Sequence, residues 1–194
     1  MPKKFIYKDN ENDEVIFEGY LESRRCEEIG KNNLRCKKRC IIGVPYCWIH
    51  LQYNHHLKIK PSTIAQAGLG LFAWDNKSEG RPIFKKDQKI IDFIGEVITY
   101  EENEERYGEF TAPYALQVGA NSVIDPALLR GVGSLANHKA QSYANAKFST
   151  NPRNQTASIK ATKNIRDGDE IFLSYGNDYR FDENTTHKTI NVRK

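Results

Sequence analysis

Five side chains that can bind a metal ion are concentrated near the amino end of the chain. Four are the cysteines Cys26, Cys36, Cys40 and Cys47, and His50 follows the last of them. No further cysteine occurs among the 194 residues. Thiolates and imidazoles are ligands that Zn²⁺ prefers, and a structural zinc site fills four tetrahedral positions. The spacing therefore predicts a structural zinc site, with five candidate ligands for four places.

A resemblance narrows this ligand set. The pair Cys47-x2-His50 follows the stretch Gly43-Val44-Pro45-Tyr46, which resembles small Cys/His modules that end in such a pair. The resemblance implies four ligands: Cys26, Cys36, Cys47 and His50. Cys40 is then a spare thiol. The alternative is a group of reduced, buried cysteines that holds no ion.

Four later segments carry a second set of chemically distinctive residues. They are Gly68-Leu69-Gly70-Leu71-Phe72-Ala73, Asp92-Phe93-Ile94-Gly95-Glu96-Val97-Ile98-Thr99, Asn137-His138 with Asn145-Ala146, and Gly168-Asp169-Glu170-Ile171-Phe172-Leu173-Ser174-Tyr175-Gly176. Each segment alone is compatible with turns and core, and a single Gly-x-Gly is a weak signal. Their order and separation together resemble the SET-domain protein lysine methyltransferases. The closing run Ser174–Tyr179 resembles small viral and protist members of that family.

The resemblance implies a site for S-adenosyl-L-methionine and a channel for the substrate lysine. The implied cofactor-binding residues are Gly68, Leu69, Gly70, Leu71, Asn137, His138, Tyr175 and Tyr179. Glycine in the first segment would allow the backbone to approach the cofactor closely. Tyr175 is the implied catalytic residue. Phe93, Tyr114 and Leu173 are the expected walls of the substrate channel.

These residue types suit methyl transfer to an amine. The attacking lysine must be neutral, although the pKa of a free lysine is about 10.4. A dry channel and the positive charge of the cofactor's sulfonium both lower that pKa, so no strong base is required. The protein then has to align the amine, the methyl group and the sulfur, and the hydroxyl of Tyr175 can orient the first two.

The chain departs from the family pattern at several positions. Lys139 and Ala144 stand where the family commonly has serine and proline, and Asn145 comes two residues late. We therefore expect a reshaped loop after His138. Leu173 occupies a position where an aromatic residue often limits the number of methyl groups, which predicts room for a di- or trimethyl product.

The family's cysteine-rich segment after the SET domain is missing, since no cysteine follows Cys47. Another element must close the lysine channel, and Tyr179 and Phe181 are the candidates, with Tyr114 on the opposite wall.

Short apolar runs separated by Gly, Pro and Asn predict many short strands between 57 and 176. The fold class is accordingly mainly β (α+β), and the resemblance adds small curled sheets and a pseudoknot. Thr99 and Glu102 form a capping box that predicts a helix after Thr99. Two β-like runs predict a hairpin near the amino end. We divide the chain into an extension (1–25), a zinc module (26–56), a SET domain (57–176) and a tail (177–194).

Composition limits the remaining function classes. The net charge is +4, 28% of residues are charged and 39% are hydrophobic, which is ordinary for a folded soluble protein. No apolar run is long enough to cross a membrane, and no secretory signal is evident, so we expect no membrane partner. The expected location is the nucleus or cytoplasm, or those of a host cell if the source is a virus.

The sequence predicts a protein-lysine methyltransferase whose substrate is a lysine-containing protein, a histone tail by resemblance. The alternative is a weak or inactive SET protein whose zinc module binds nucleic acid or chromatin. Nine Lys or Arg residues against two Glu between 24 and 60 favour an acidic or phosphate-bearing partner for that region. A solvated basic face explains the same charges.

Overall fold

The structure is a computed structural model that describes residues 4–8, 14–18, 24–40, 44–107, 112 and 114–176. Two candidate residues of the sequence analysis, Tyr179 and Phe181, lie outside this part of the chain, as does the proposed tail. Strands β1 (Lys4–Lys8) and β2 (Glu14–Glu18) pair antiparallel, with Lys4 opposite Glu18 and Lys8 opposite Glu14. The predicted hairpin at the amino end is therefore confirmed.

The cysteine-rich region folds back on itself and then enters a helix. Arg25 pairs with Arg39 and Ile29 with Arg35 in isolated antiparallel bridges. Helix α1 (Trp48–His55) follows, with Cys47 at its N-cap. The sequence analysis did not predict this helix. Its mixed composition gives a weak apolar periodicity, and packing on the neighbouring elements stabilises so short a helix.

The remaining elements are short strands with one helix and one 3₁₀ turn. They are β3 (Leu57–Pro61), β4 (Leu69–Ala73), β5 (Lys89–Phe93), β6 (Glu96–Ile98), α2 (Tyr100–Tyr107), β7 (Leu116–Gly119), β8 (Ser122–Asp125), a 3₁₀ helix (Val132–Leu135), β9 (Asn137–His138), β10 (Ala146–Asn151), β11 (Thr156–Ala161) and β12 (Phe172–Leu173). These elements confirm a mainly β fold with few helices.

The strands form small separate sheets. A five-stranded sheet has the order β5-β11-β10-β12-β9, a three-stranded sheet has the order β6-β8-β7, and β3 pairs with β4. Strand β12 is the last in the described chain, yet it lies between β10 and β9 and runs parallel to both. The tyrosine-bearing segment that follows β12 therefore lies beside the Asn-His segment of β9.

Helix α2 begins at the predicted capping box. The backbone amide of Glu102 donates to Oγ1 of Thr99 at 3.1 Å, and the amide of Thr99 donates to Oε2 of Glu102 at 2.7 Å. The two bonds satisfy backbone donors that a helix start leaves unpaired. The predicted helix start is confirmed.

One apolar core joins the sheets formed by β3 to β12 to α1. Its fully buried members include Leu57, Leu71, Val132, Ile159, Ile165, Ile171 and Leu173. Because β4, the 3₁₀ helix and β12 all contribute to this core, their packing fixes the relative positions of the glycine, Asn-His and tyrosine segments. Among the described residues, each helix is too short or too polar to cross a lipid bilayer.

Candidate active site and metal centre

The Tyr175 side chain and backbone are both held by the segment around β9. Its backbone amide donates to Nδ1 of His138 at 3.0 Å, and its hydroxyl donates to the carbonyl of Ala136 at 2.7 Å. The parallel pairing of β12 with β9 places Leu173 opposite His138, which brings the following residues beside the same segment. Tyr175 is therefore held both at its backbone amide and at its hydroxyl.

His138 has to be neutral at Nδ1 to accept this bond. An imidazolium donates from both nitrogens and has no acceptor. Burial lowers the pKa of His138 below its ordinary value, because desolvation disfavours the charged ring. The tautomer with its proton on Nε2 is the one that fits the Tyr175 amide.

A cleft opens beside the Tyr175 ring. Its walls include the three expected channel residues Phe93, Tyr114 and Leu173. Phe148 is a further wall that the sequence analysis did not name, and its ring packs edge-on against Phe93 at 5.2 Å. The lining is aromatic and aliphatic, so a long alkyl side chain that carries an amine fits its chemistry.

The glycine segment lies at the start of β4, apart from the lining of this cleft. Gly68 has φ of +71°, a conformation that side-chain-bearing residues rarely adopt. Leu71 is fully buried in the core, and its carbonyl accepts the backbone amide of Ile171. Nδ2 of Asn137 donates to the carbonyl of Leu69 at 3.1 Å, which ties the segment to the Asn-His step.

Strand β9 joins the two regions. Successive side chains of a strand point to opposite faces. His138 accordingly contacts Tyr175, while Asn137 contacts the glycine segment and Glu170. The structure therefore brings the glycine segment, the Asn-His step and Tyr175 into one connected group. That they bind a cofactor stays a prediction, and Tyr179 lies outside the described residues.

A buried carboxylate at Glu170 stands at the centre of the glycine side, and the sequence analysis missed it. Its oxygens accept hydrogen bonds from Oγ of Ser62 (2.6 Å), from the amide (2.7 Å) and Oγ1 (2.6 Å) of Thr63, and from Nδ2 of Asn137 (3.2 Å). Burial opposes ionisation, but these bonds outweigh it and hold the pKa of Glu170 below its ordinary value.

Gly70 is shaped by this carboxylate. A Cβ at position 70 would overlap Oε1 of Glu170. The absence of a side chain at Gly70 is thus required by packing within the chain. The sequence carries no signal for this packing, because the two residues are 100 positions apart.

The loop after His138 is closed by Asn145. Its Nδ2 donates to the carbonyl of Glu170 and its Oδ1 accepts the amide of Phe172, each at 2.8 Å. Despite its late position, this asparagine holds the segment that enters β12.

The predicted metal ligands lie together. The ligand atoms of Cys26, Cys36, Cys47 and His50 are all within 4.8 Å of one another. Sγ of Cys26 and Sγ of Cys47 each lie 3.4 Å from Nδ1 of His50. Tetrahedral Zn²⁺ with ordinary bond lengths separates such atoms by about 3.5 Å. The donor set and its spacing fit a zinc ion.

Cys40 is buried beside this group but is not one of the four. Burial, and then the neighbouring thiol of Cys26, raise the pKa of Cys40 to about 12. The four chosen side chains are therefore the ones that the structure gathers. Their binding of an ion belongs to the proposal below.

Comparison with known proteins places this chain in a family. The family model described as "SET domain" matches residues 68–176, which is 109 of the 194 residues. The chain belongs to the SET-domain family, whose members are protein lysine methyltransferases. The matched range contains all four segments on which the resemblance rests. No curated protein sequence matches this chain.

Solved structures with a similar fold include two that are described as follows. One is described as the crystal structure of polycomb repressive complex 2 from Chaetomium thermophilum, with 20% identity, 63% coverage of this chain and a TM-score of 0.50. The other is described as an active polycomb repressive complex 2 in the basal state, with 22% identity, 62% coverage and a TM-score of 0.50. This chain spans 15% of the length of either.

Proposed function

We propose that this protein is an S-adenosyl-L-methionine-dependent protein-lysine N-methyltransferase that acts on a histone tail. The observation that supports it is the placement of the Tyr175 hydroxyl. The hydroxyl is held by the Ala136 carbonyl at 2.7 Å, and the ring lines an apolar cleft while the adjoining Asn137 contacts the glycine segment. The histone assignment rests on the family resemblance.

The residues of the cleft have distinct tasks in this proposal. S-adenosyl-L-methionine, when bound, supplies an electrophilic methyl group. Phe93, Phe148 and Leu173 exclude water, so the incoming lysine loses its proton more readily than it would in solution. The Tyr175 hydroxyl donates a hydrogen bond to the carbonyl of Ala136, so its oxygen is oriented to accept a hydrogen bond from the amine. Fixed orientation of the amine then supplies most of the rate.

The groups around the Asn-His step fit the amino-acid end of such a cofactor. Asn137 lies on the face of β9 that meets the glycine segment. Gly68 has a positive φ and no side chain, so the cofactor can approach its backbone. We assign cofactor binding to Gly68, Leu69, Gly70 and Asn137 on this face, and to His138 on the other face of β9, beside Tyr175. Leu71 contributes to the core beneath it.

The amino-terminal module holds a structural zinc ion in this proposal. The ligands are Cys26, Cys36, Cys47 and His50, and the domain boundaries are those of the sequence analysis. Zinc would join the 24–40 turn to the start of α1, because two ligands come from each part. The proposed location is the nucleus or cytoplasm, or the equivalent in a host cell.

Methyl transfer is tested with tritiated S-adenosyl-L-methionine and purified histones. We expect transfer by the unaltered chain and a loss of at least about 100-fold in Tyr175→Phe, since misorientation of a reacting group costs that much. Tyr143→Phe is the matched control, because Tyr143 is 74% exposed. Equal transfer by Tyr175→Phe and the unaltered chain would contradict the proposal.

A second candidate function is nucleic-acid binding by the basic module. All seven Lys and Arg residues between 24 and 39 are exposed. Arg25 and Arg35 donate to backbone carbonyls across the turn, so they also have a structural task. Binding of duplex DNA with a strong salt dependence, in the absence of any methyl transfer, would favour this candidate.

A further inference from the structure

The carboxamide of Asn137 is held in one orientation by its nitrogen. Nδ2 donates to the carbonyl of Leu69 at 3.1 Å and to Oε1 of Glu170 at 3.2 Å. An amide nitrogen has two hydrogens, and both are used here. If the carboxamide turned over, Oδ1 would face two acceptors and both bonds would be lost. Among the described residues, none donates a hydrogen bond to Oδ1.

Glu170 is itself immobile. Ser62 and Thr63 donate three hydrogen bonds to its two oxygens, and the residue is only 5% exposed. One of the donors is the backbone amide of Thr63, which cannot turn away. Oε1 occupies the space that a Cβ at position 70 would fill. The hydrogen bonds also keep it ionised.

We propose that Glu170 is a positioning residue that turns Asn137 so that Oδ1 receives the ammonium group of the cofactor's amino-acid end. This inference rests on the proposed function. An ammonium group has three donors and no acceptor, so it suits a lone carbonyl oxygen. The fixed negative charge of Glu170 behind the amide favours a cation at the same place. The cofactor's carboxylate would meet an oxygen there and is disfavoured.

The substitution Glu170→Gln tests the orientation with little change of shape. The carbonyl oxygen of the introduced glutamine has to face the Thr63 amide, since that donor is part of the backbone. The side-chain nitrogen of the same glutamine then faces Asn137, donor against donor. Turning over gives Asn137 an acceptor for this new donor at the cost of its bond to the Leu69 carbonyl, and its nitrogen would then replace Oδ1 as the group offered to the ligand.

The experiment measures binding by titration calorimetry. The two ligands are S-adenosylhomocysteine and its deaminated analogue, in which hydrogen replaces the ammonium group. For the unaltered chain we expect the analogue to bind roughly tenfold or more weakly, as for a hydrogen bond to a charged group. In Glu170→Gln the ratio of the two Kd values should fall to within about twofold of one. A structural role alone would weaken both ligands equally and leave the ratio unchanged.

Two further variants keep the result decisive. Asp125→Asn replaces another buried acid, whose partners are Arg106 and Tyr107 and not the Asn-His step. This variant should leave the ratio of the two Kd values unchanged. Asn137→Ala removes the amide and should abolish the preference even if Glu170→Gln does not fold.

The outcomes separate the inference from the function on which it rests. Binding of neither ligand by the unaltered chain would overturn the proposed function. Equal binding of both ligands by the unaltered chain, or a ratio that survives in Glu170→Gln or Asn137→Ala, would overturn the inference alone.

Discussion

The imidazole of His138 accepts the backbone amide of Tyr175 at 3.0 Å, although the two residues are 37 positions apart. This bond orients the chain just where it leaves β12 and directs the tyrosine ring toward the cleft. It requires an unprotonated Nδ1, so it links the shape of the site to pH.

Acid should destabilise the fold through His138. Burial lowers the pKa of His138 in the folded chain below the ordinary 6.5, so the unfolded chain takes up the proton first as pH falls. This contribution is complete above pH 6.5 and is lost as pH falls below it. We expect the free energy of unfolding, measured in urea, to fall less between pH 7.5 and 5.5 in His138→Asn than in the unaltered chain.

His56→Asn is the control for that measurement. His56 is largely exposed and has φ of +53°, which asparagine adopts readily. Comparison of the two variants separates the loss of the half-buried His138 ring from the loss of an exposed histidine. An unchanged pH dependence in His138→Asn would show that the ring does not carry this linkage.

Zinc content should distinguish the two kinds of cysteine. We expect one zinc per purified chain, loss of that zinc in Cys47→Ser, and its retention in Cys40→Ser. The reason is that Cys47 has its sulfur 3.4 Å from Nδ1 of His50, whereas Cys40 lies outside the four-residue group. Elemental analysis of the dialysed proteins measures the zinc content per chain. Zinc loss in Cys40→Ser with retention in Cys47→Ser would contradict the ligand set.

The size of residue 173 should set the number of methyl groups transferred. Leu173 is buried in the wall of the cleft beside Phe93 and Phe148. We expect the unaltered chain to produce di- or trimethyl-lysine, and Leu173→Phe to stop earlier, because a larger ring fills the space that added methyl groups need. Mass spectrometry of the peptide product at saturation gives the answer.

The unfolding midpoint of Leu173→Phe is the accompanying control, since a larger side chain in a packed core costs about 1–3 kcal/mol. Monomethyl-lysine alone from the unaltered chain would contradict the prediction.

Asp125 should be a major contributor to stability. It is fully buried and accepts hydrogen bonds from Nη1 of Arg106, the hydroxyl of Tyr107 and the amide of Ala127, each at 2.9 Å. Through these bonds it attaches α2 to β8. Asp125→Ala should cost about 3 kcal/mol, the lower end for a broken buried pair, because Arg106 keeps partial access to water.

Glu96→Gln is the matched control for Asp125. Glu96 pairs with the same Nη1 of Arg106 at 2.9 Å but is 34% exposed, so its loss should cost at most about 1 kcal/mol. Urea denaturation compares the two variants. Equal costs for both would contradict the burial argument.

The amino-acid sequence by itself determined the features that depend on near neighbours along the chain. The capping box of Thr99 and Glu102 spans three residues, and the pair Cys47 and His50 spans one helical turn. Within a helical turn, such spacings bring the two side chains together through local geometry. The mainly β class followed from the short apolar runs. The order of the four segments along the chain, the last of which contains Tyr175, indicated the family.

Only the tertiary structure decided the contacts between distant segments. Ser62 and Glu170 are 108 positions apart, and their bond exists because β4 and the segment before β12 lie side by side. The Glu170 carboxylate explains why position 70 requires glycine and why the Asn137 amide has its orientation. The insertion of β12 between β9 and β10 depends on the path of long connections, and local sequence preferences carry no record of that path.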